Sequence, residues 1–392
     1  MVRSLRVSIL HRNLDIAGGG ERIVLELANR LCDRGYDIRL FTFSYDRNNI
    51  VTRLSPKVSI ELIPRRYVSP WPLYNEAASI LFFPKAFKWG DVVFCSDFHT
   101  GHITATLISK LLRKPIVYYC HWPLLYSIDR GLGLLQDLRR LPLLLFDRFL
   151  SSRTDIFMTN SQHTAQFVRR IYGVTPRVVY PGVDVEKFRD EPIEKSSPIV
   201  LSVCRVDPIK RIELLIKSMK LVLKDLQDVK LYVVGSTDNS PDYICHLVSL
   251  IKKLGMEETV FFTGKIFGEP LLKFYQICDI FCLFSREETF GISVIEAMSC
   301  GKPVIVSDAG ALPELVEDGK TGFVIHGDRE EPYAEKIKFL LAHPEIRARM
   351  GKEGRRMVEK RFTWDIFIDL VEDAITNLVK QSYNSTVNDN KC

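Results

Sequence analysis

The stretch VSILHRNLDIAGGGERIVLELANRLCDRGYDIRLFT, residues 7–42, decides the fold class. It opens with the apolar run Val7 to Leu10 and closes with Ile38 to Thr42, and both runs are typical of buried strands. A glycine-rich loop follows the first run. Apolar residues at helical spacing come next, and these are Ile23, Leu27 and Leu31. This strand–helix–strand order is typical of a parallel sheet covered by helices.

The same alternation continues along the chain. Further strands are predicted at residues 92–95, 116–120, 156–159, 178–180, 199–203, 230–234, 260–263, 280–284 and 303–306. A cluster of Glu, Lys, Pro and Ser at residues 186–198 predicts a domain boundary. We therefore expect an α/β protein with two doubly wound, Rossmann-like domains that face each other across a cleft. The predicted domains are residues 1–190 and 191–380, followed by a polar tail, residues 381–392.

Composition restricts the class of protein. The chain has 392 residues, of which 46% are hydrophobic and 26% charged, an ordinary globular balance. Apolar runs such as Leu141 to Phe146 fall far short of the roughly 18 residues that span a bilayer. The first residues do not have the pattern of a signal peptide, so we expect a cytoplasmic protein. Cys278 and Cys282 are not followed by a second ligand pair, and no metal site is expected.

The net charge of +6 is distributed unevenly. Residues 1–190 contain 27 Lys and Arg against 17 Asp and Glu, whereas the remainder is slightly acidic. A basic first half suggests an anionic partner. A phosphorylated substrate, an acidic membrane surface and nucleic acid all fit that description.

The segment ETFGISVIEAMSCG, residues 288–301, carries the strongest chemical signal. A loop with Glu288 follows a strand, a helix begins near Ile292, and Glu296 falls in its second turn. Free backbone N–H groups at such a helix start suit a phosphate, and carboxylates suit hydroxyl groups. The N–H groups belong to Gly291, Ile292 and Ser293. A ligand with a phosphate and several hydroxyls, such as a nucleotide sugar, satisfies both requirements, although Glu296 could instead be a solvated helix carboxylate.

Residues in three other segments are candidates for the site. Arg205 and Lys210 follow the first strand of the second half and could neutralise a diphosphate, or belong to a solvated turn. Gly18-Gly19 permits close approach of a ligand to the backbone but lacks the spacing of a dinucleotide fingerprint. His121 ends a predicted strand, where a lone histidine is more often structural.

Taken together, these residues resemble the retaining GT-B glycosyltransferases of family 4. The resemblance covers residues 5–375 and rests on motifs spread over both halves. They are GGGER at 18–22, Asn160-Ser161, YPGVD at 180–184, Arg205 with Lys210, the pair Glu288 and Glu296, SDAGALPE at 307–314 and DGKTG at 318–322. Within the family, YYCHWP at 118–123 and TNSQHTA at 159–165 are similar to the dolichol-pathway α-1,3/1,6-mannosyltransferases.

The resemblance implies transfer of a hexose with retention of configuration and without a metal or other cofactor. Arg205 and Lys210 would stabilise the departing diphosphate, Glu288 would orient the hexose, and Glu296 would bind the ribose. His121 would contact the sugar near the reacting carbon. The remaining donor contacts would come from Gly18, Gly19, Phe290, Gly291, Ile292 and Ser293. GDP-mannose as donor and a lipid-linked saccharide as acceptor are expected.

The basic first half also predicts contact with an anionic membrane on its cytoplasmic face. Leucines and Phe149 recur at helical spacing in residues 131–150, among arginines, and residues 80–83 could add a second contact. The same leucines could instead form the core. Other functions stay open: a transferase for a UDP-sugar and a soluble acceptor, a nucleotide-sugar epimerase, or a nucleic-acid-binding protein. The last would explain the charge but not the carboxylate motif, so we expect no nucleic-acid partner.

Overall fold

The computed structural model describes residues 4–15, 18–47, 52–63, 72–96, 101–123, 145–191, 193, 195–238 and 240–389. Its residues divide into two compact units. One unit comprises Met1–Tyr180 with Asp365–Cys392, and the other is Pro181–Trp364.

In the first unit, helices alternate with the strands of a parallel sheet. The strands are β1 (Arg6–Leu10), β2 (Asn13–Leu14), β3 (Asp37–Thr42), β4 (Ser44–Tyr45), β5 (Ser59–Leu62), β6 (Val92–Cys95), β7 (Ile116–Cys120), β8 (Ile156–Thr159) and β9 (Arg177–Val178). The helices are α1 (Gly19–Asp33), α2 (Pro72–Trp89), α3 (Gly101–Leu112), α4, which includes residues 145–151, and α5 (Gln162–Tyr172). Within the described residues the main sheet has the order β5-β3-β1-β6-β7-β8-β9.

The second unit repeats this plan. Its strands are β10 (Ile199–Val203), β11 (Lys230–Val234), β12 (Val260–Gly264), β13 (Ile280–Leu283), β14 (Val304–Ser307) and β15 (Gly322–Ile325). Its helices are α6 (Ile212–Val222), α7 (Pro241–Leu254), α8 (Glu269–Ile277), α9 (Ile292–Ser299), α10 (Leu312–Leu315), α11 (Glu330–Ala342) and α12 (Pro344–Arg361). The described part of this sheet is ordered β12-β11-β10-β13-β14-β15. The last helix of the chain is α13 (Trp364–Asp389).

Both sheets are parallel, with registers such as Val7↔Val92 and Val200↔Ile280. The predicted fold class of two Rossmann-like α/β domains is therefore confirmed. In each sheet the strand order reverses beside the first strand, between β1 and β6 and between β10 and β13. Ligands of doubly wound sheets bind at the carboxyl ends of the strands at such a point. The topology thus predicts a ligand site at the edge of each sheet that is formed by the carboxyl ends of its strands.

The two units differ from the predicted domains at both ends of the second one. The first unit ends at Tyr180 instead of residue 190, and it regains the chain at Asp365. The reason is the apolar face of α13, because Phe367, Ile368 and Val371 are fully buried and Phe367 packs edge-to-face on Tyr119. The predicted polar tail, residues 381–392, is helical as far as Asp389.

Ion pairs fasten α13 to the same unit. Asp365 accepts from Arg30 at 3.0 Å, Asp369 pairs with Arg34 at 2.7 Å, and the hydroxyl of Tyr36 donates to Glu372 at 2.8 Å. Burial first, and then the hydrogen bond to Glu372, raises the pKa of Tyr36 to about 12. Among the residues that the structure describes, no helix combines the length and the apolar composition that a membrane span requires.

Candidate active site

The central feature of the second unit is an ion pair at the reversal point of its sheet. Lys210 follows β10, Glu288 follows β13, and the Lys210 Nζ lies 2.5 Å from Glu288 Oε2. Both side chains are largely shielded, with 12% and 15% of their surface exposed. Ser285 Oγ lies 3.5 Å from the same carboxylate oxygen. The sequence predicts both residues but assigns them to separate parts of a ligand, and the structure joins them directly.

Backbone contacts fix the loop that carries Glu288. Its carbonyl accepts from the N–H of Ala311 at 2.8 Å, and the N–H of Arg286 donates to the carbonyl of Ile209 at 2.7 Å. Gly310 crosses this loop so closely that a Cβ there would lie 2.0 Å from Glu288 O. Gly310 also has φ +61°, a backbone conformation that side chains disfavour.

Helix α9 begins directly after this loop. Gly291 is its N-cap with φ +105°, and Ile292 and Ser293, both partly exposed, form its first turn. The N–H groups of such a turn lack helical partners and favour anions. The side chain of Phe290 is buried edge-to-face against Phe362, so only its backbone is available to a ligand.

Glu296 lies inside the second unit and not on its surface. Only 3% of the residue is exposed, and its Oε2 accepts from the hydroxyl of Tyr275 at 2.6 Å. This burial argues against a solvated helix carboxylate, because an acidic side chain is rarely buried without a structural or binding role. Arg205, in contrast, is exposed and forms no ion pair with the described residues. The two carboxylates therefore differ in environment: Glu288 is paired with a lysine, whereas Glu296 is buried and accepts from a tyrosine hydroxyl.

Arg211 is a residue that the sequence argument missed. It lies immediately after Lys210, is 4% exposed, and adopts the left-handed conformation at φ +50°. Its Nε donates to the carbonyl of Phe284 at 2.7 Å, and its guanidinium also pairs with Asp328. This buried arginine fixes the turn that carries Lys210 to the end of β13. The only feature of the sequence that could have indicated Arg211 is its position directly after Lys210.

The first unit carries a polar cluster at the corresponding edge of its own sheet. His121 follows β7, and its Nε2 lies 2.7 Å from Ser96 Oγ, which follows β6. Gly18 is the N-cap of α1, Gly19 is the first helical residue, and the Glu21 carboxylate folds back over Gly18. Desolvation first, and nearby His11 second, lowers the pKa of His121 to about 3. The imidazole is therefore neutral at physiological pH and can act only through hydrogen bonds.

Metal ligands do not cluster in the described part of the chain. No group of three or more His, Cys, Asp or Glu side chains there has the arrangement of a metal site. Cys278 and Cys282 are buried, and burial raises the pKa of Cys278 to about 12, which keeps the thiol protonated.

Comparison with known proteins assigns both halves of the chain to glycosyltransferase families. The family described as Glycosyltransferase Family 4 matches residues 17–187, and the family described as Glycosyl transferases group 1 matches residues 184–357. This chain is a GT-B glycosyltransferase. The two matches meet near the first boundary between the compact units, and the second covers Arg205, Lys210, Glu288 and Glu296.

The similarity to known relatives extends over nearly the whole chain. The human alpha-1,3/1,6-mannosyltransferase ALG2 is 25% identical, with 95% of this chain and 96% of that protein covered. The D-inositol 3-phosphate glycosyltransferase of Kribbella flavida is 25% identical, with 89% and 88% covered. The crystal structure of Anabaena Alr3699/HepE in complex with UDP superposes with a TM-score of 0.76 at 21% identity, and 94% and 100% of the two chains are covered.

We expect the close crossing at Gly310 to be essential to this glycosyltransferase. Gly310→Ala should lower the rate of glycosyl transfer at least tenfold, because its Cβ would push the Glu288 backbone away and add strain at positive φ. Gly319→Ala is the matched control, since Gly319 has φ +73° but no atom within 4 Å of the added Cβ. Transfer rates and melting temperatures of both variants test this. Equal losses in the two would mean that backbone strain, and not the crossing, matters.

Proposed function

We propose that the protein is a retaining α-glycosyltransferase that moves mannose from GDP-mannose to a lipid-linked saccharide. The observation that carries the proposal is the shielded Lys210–Glu288 pair beside the N-terminus of α9. It offers a cation and free N–H groups to a diphosphate, and a carboxylate to sugar hydroxyls. The choice of mannose is supported by the similarity to the human mannosyltransferase, 96% of which the match covers.

The proposed mechanism relies on charge stabilisation. Arg205 is exposed and available to an incoming diphosphate, whereas Lys210 is balanced by Glu288 in the free protein. As the bond to the sugar breaks, negative charge grows on the leaving phosphate, and both cations with the α9 N–H groups stabilise it. These groups do the work that a metal does elsewhere, so we propose that no metal is needed.

The carboxylates bind the neutral parts of the donor in this proposal. Glu288 accepts from hexose hydroxyls while Lys210 holds it in place, and Glu296 accepts from the ribose while Tyr275 holds its other side. Neutral His121 hydrogen-bonds the sugar near the reacting carbon, and Gly18 and Gly19 admit the phosphates to the backbone of α1. The acceptor's proton passes to the leaving phosphate.

A second candidate uses a UDP-sugar and a soluble acceptor. It is favoured by the similarity to the Kribbella D-inositol 3-phosphate glycosyltransferase and to HepE, whose structure holds UDP. A panel of GDP- and UDP-sugars, each with a lipid-pyrophosphate saccharide or a soluble acceptor, separates the two. We expect α-linked mannose on the lipid acceptor, formed equally well with EDTA. Transfer from a UDP-sugar alone would favour the second candidate, and activity lost to EDTA and restored by Mg²⁺ would refute metal independence.

Removal of charge at the proposed donor site should slow the reaction. We expect Glu288→Gln and Arg205→Ala each to lower turnover at saturating donor at least ~100-fold, because a lost contact to the transition state costs about 3 kcal/mol. Glu317→Gln and Arg329→Ala are matched controls at exposed ion pairs of the same unit. Melting curves check the fold. If either variant kept near-normal turnover, the substituted residue would have no part in the mechanism.

We also propose that the first unit rests on the cytoplasmic face of an anionic membrane. Three apolar side chains of α4 are strongly exposed, and they are Leu145 (59%), Phe146 (45%) and Phe149 (51%). Arg148 is exposed beside them, and the Arg153 guanidinium lies over the Phe149 ring. Leu134, Leu138 and Leu141, which contribute to the same sequence pattern, lie outside the described residues.

The helix α3, which contacts α4, carries a further exposed leucine. It contacts the α4 segment through His102 and Asp147, and its exposed Leu111 lies among Lys110 and Arg113. Apolar groups bordered by cations suit an anionic bilayer, where each nearby cation contributes about 1 kcal/mol. The second predicted contact is weaker, because Ile80 is exposed but Phe83 belongs to the core.

Flotation with liposomes tests the membrane proposal. The protein should float with vesicles that contain phosphatidylserine, less so at high salt, because screening weakens the cationic contribution. Phe149→Ser should reduce binding several-fold, whereas Val248→Ser, a matched change at an exposed apolar residue of the second unit, should not. Failure to bind anionic vesicles, with normal transfer to a soluble acceptor, would refute the proposal.

A further inference from the structure

A chain of polar groups runs beneath His121 at the carboxyl edge of the first sheet. His121 Nε2 meets Ser96 Oγ at 2.7 Å, and the carbonyl oxygen of Ser96 accepts from His11 Nδ1. His11 Nε2 in turn lies 4.0 Å from Glu21 Oε1. The four residues follow β7, β6 and β1 and begin α1, so each belongs to a different element of the unit.

Three of the four residues in this chain of polar groups are buried. His11 and His121 are each 3% exposed and Ser96 is fully buried. Buried polar atoms are stable only when they are hydrogen-bonded, and Ser96 serves both neighbours, one through its hydroxyl and one through its carbonyl. Because a carbonyl can only accept, His11 must carry its proton on Nδ1. The arrangement therefore restricts the orientation of both rings and places a proton on Nδ1 of His11.

The outer end of the chain reaches the start of α1. Glu21 is the third residue of that helix, and its carboxylate lies where a Cβ on Gly18 would come within 2.3 Å of Oε2. The glycine-rich turn and the His121 ring, which are far apart in sequence, are thus connected through Glu21, His11 and both the carbonyl and the hydroxyl of Ser96.

We propose that Ser96 and His11 are positioning residues that hold the imidazole of His121 in one orientation for contact with the transferred sugar. The inference rests on the proposed function, in which His121 touches that sugar. A neutral imidazole contributes to a transition state only through a directed hydrogen bond, and such a bond is effective when the ring does not reorient during the reaction. Ser96 supplies this constraint through Nε2.

Histidine-selective ¹⁵N NMR of the full chain tests the positioning role without any substrate. His121→Ala identifies the His121 resonances in the wild-type spectrum. Ser96→Ala should shift or broaden the His121 ring nitrogens. The matched control is Ser8→Ala, a buried serine of the same sheet whose hydroxyl donates to the carbonyl of Ala86 at 2.7 Å, and it should leave them unchanged. Unchanged His121 nitrogens in folded Ser96→Ala would overturn the proposal.

Kinetics provide the second readout. Ser96→Ala should lower kcat about tenfold, the effect of one lost hydrogen bond, with donor Kd nearly unchanged. In the His121→Ala background the same substitution should have no further effect, because its action passes through the ring. His11→Asn, which keeps a donor for the Ser96 carbonyl, should retain more activity than His11→Leu. Effects of Ser96→Ala and His121→Ala that multiply would overturn the proposal.

The two readouts separate failure of this inference from failure of the proposed function. If the wild-type protein transferred no sugar from any donor, the proposed function would be wrong, while the NMR comparison would still decide whether Ser96 orients the ring.

Discussion

The parallel pairing of every strand in the two main sheets is the constraint on which the rest of the structure depends. In such a sheet all carboxyl ends lie along one edge, and each following loop begins there. Residues separated by 78 positions, Lys210 and Glu288, therefore form one ion pair. The same constraint places His11, Ser96 and His121 together, although they follow three different strands.

Close backbone packing turns this nearness into a fixed geometry. At the edge of the second sheet a Cβ on Gly235 would lie 1.8 Å from the Cys204 carbonyl, just as Gly310 crosses the Glu288 loop. Buried Arg211 adds a charged group that holds the turn after β10 to the end of β13. Polar side chains at the edge are thereby held by backbone and not only by one another, which preorganises them for a ligand.

Much of this could be predicted from the sequence, because it depends on local signals. Long apolar runs and helical spacing placed most strands, including β6, β7, β8, β10 and β11, with bounds that match the structure. The strands β5 and β15 were missed, as were the two-residue strands β2 and β4. In β5 the sequence SIEL alternates polar with apolar residues, and in β15 the sequence GFVI begins with a glycine that directly follows a polar turn. The glycosyltransferase family was predicted from the resemblance of motifs in both halves of the chain, and the comparisons confirm it.

What the sequence did not reveal depends on contacts between distant segments. The pairing of Lys210 with Glu288, the burial of Glu296 under Tyr275 and the role of Ser96 each require knowledge of which loops meet. The predicted boundary at residue 190 differs from the end of the first compact unit at Tyr180 for the same kind of reason. The turn residues near 186–198 resemble a linker, yet Phe188 and Ser299 lie together inside the second unit, where Ser299 Oγ donates to the Phe188 carbonyl at 2.6 Å.

The return of α13 to the first unit has a consequence for the order in which the chain folds. The second unit is an insertion, and its two ends are adjacent, since Val183 bridges to Thr363 and a Cβ on Gly182 would lie 2.2 Å from the N of Trp364. A ribosome therefore releases every residue of the second unit before it completes the first. The first unit begins synthesis early, but its core stays open beside Tyr119 until Phe367 emerges. A nascent chain cut short before α13 would contain every residue of the second unit but would lack the helix that completes the core of the first.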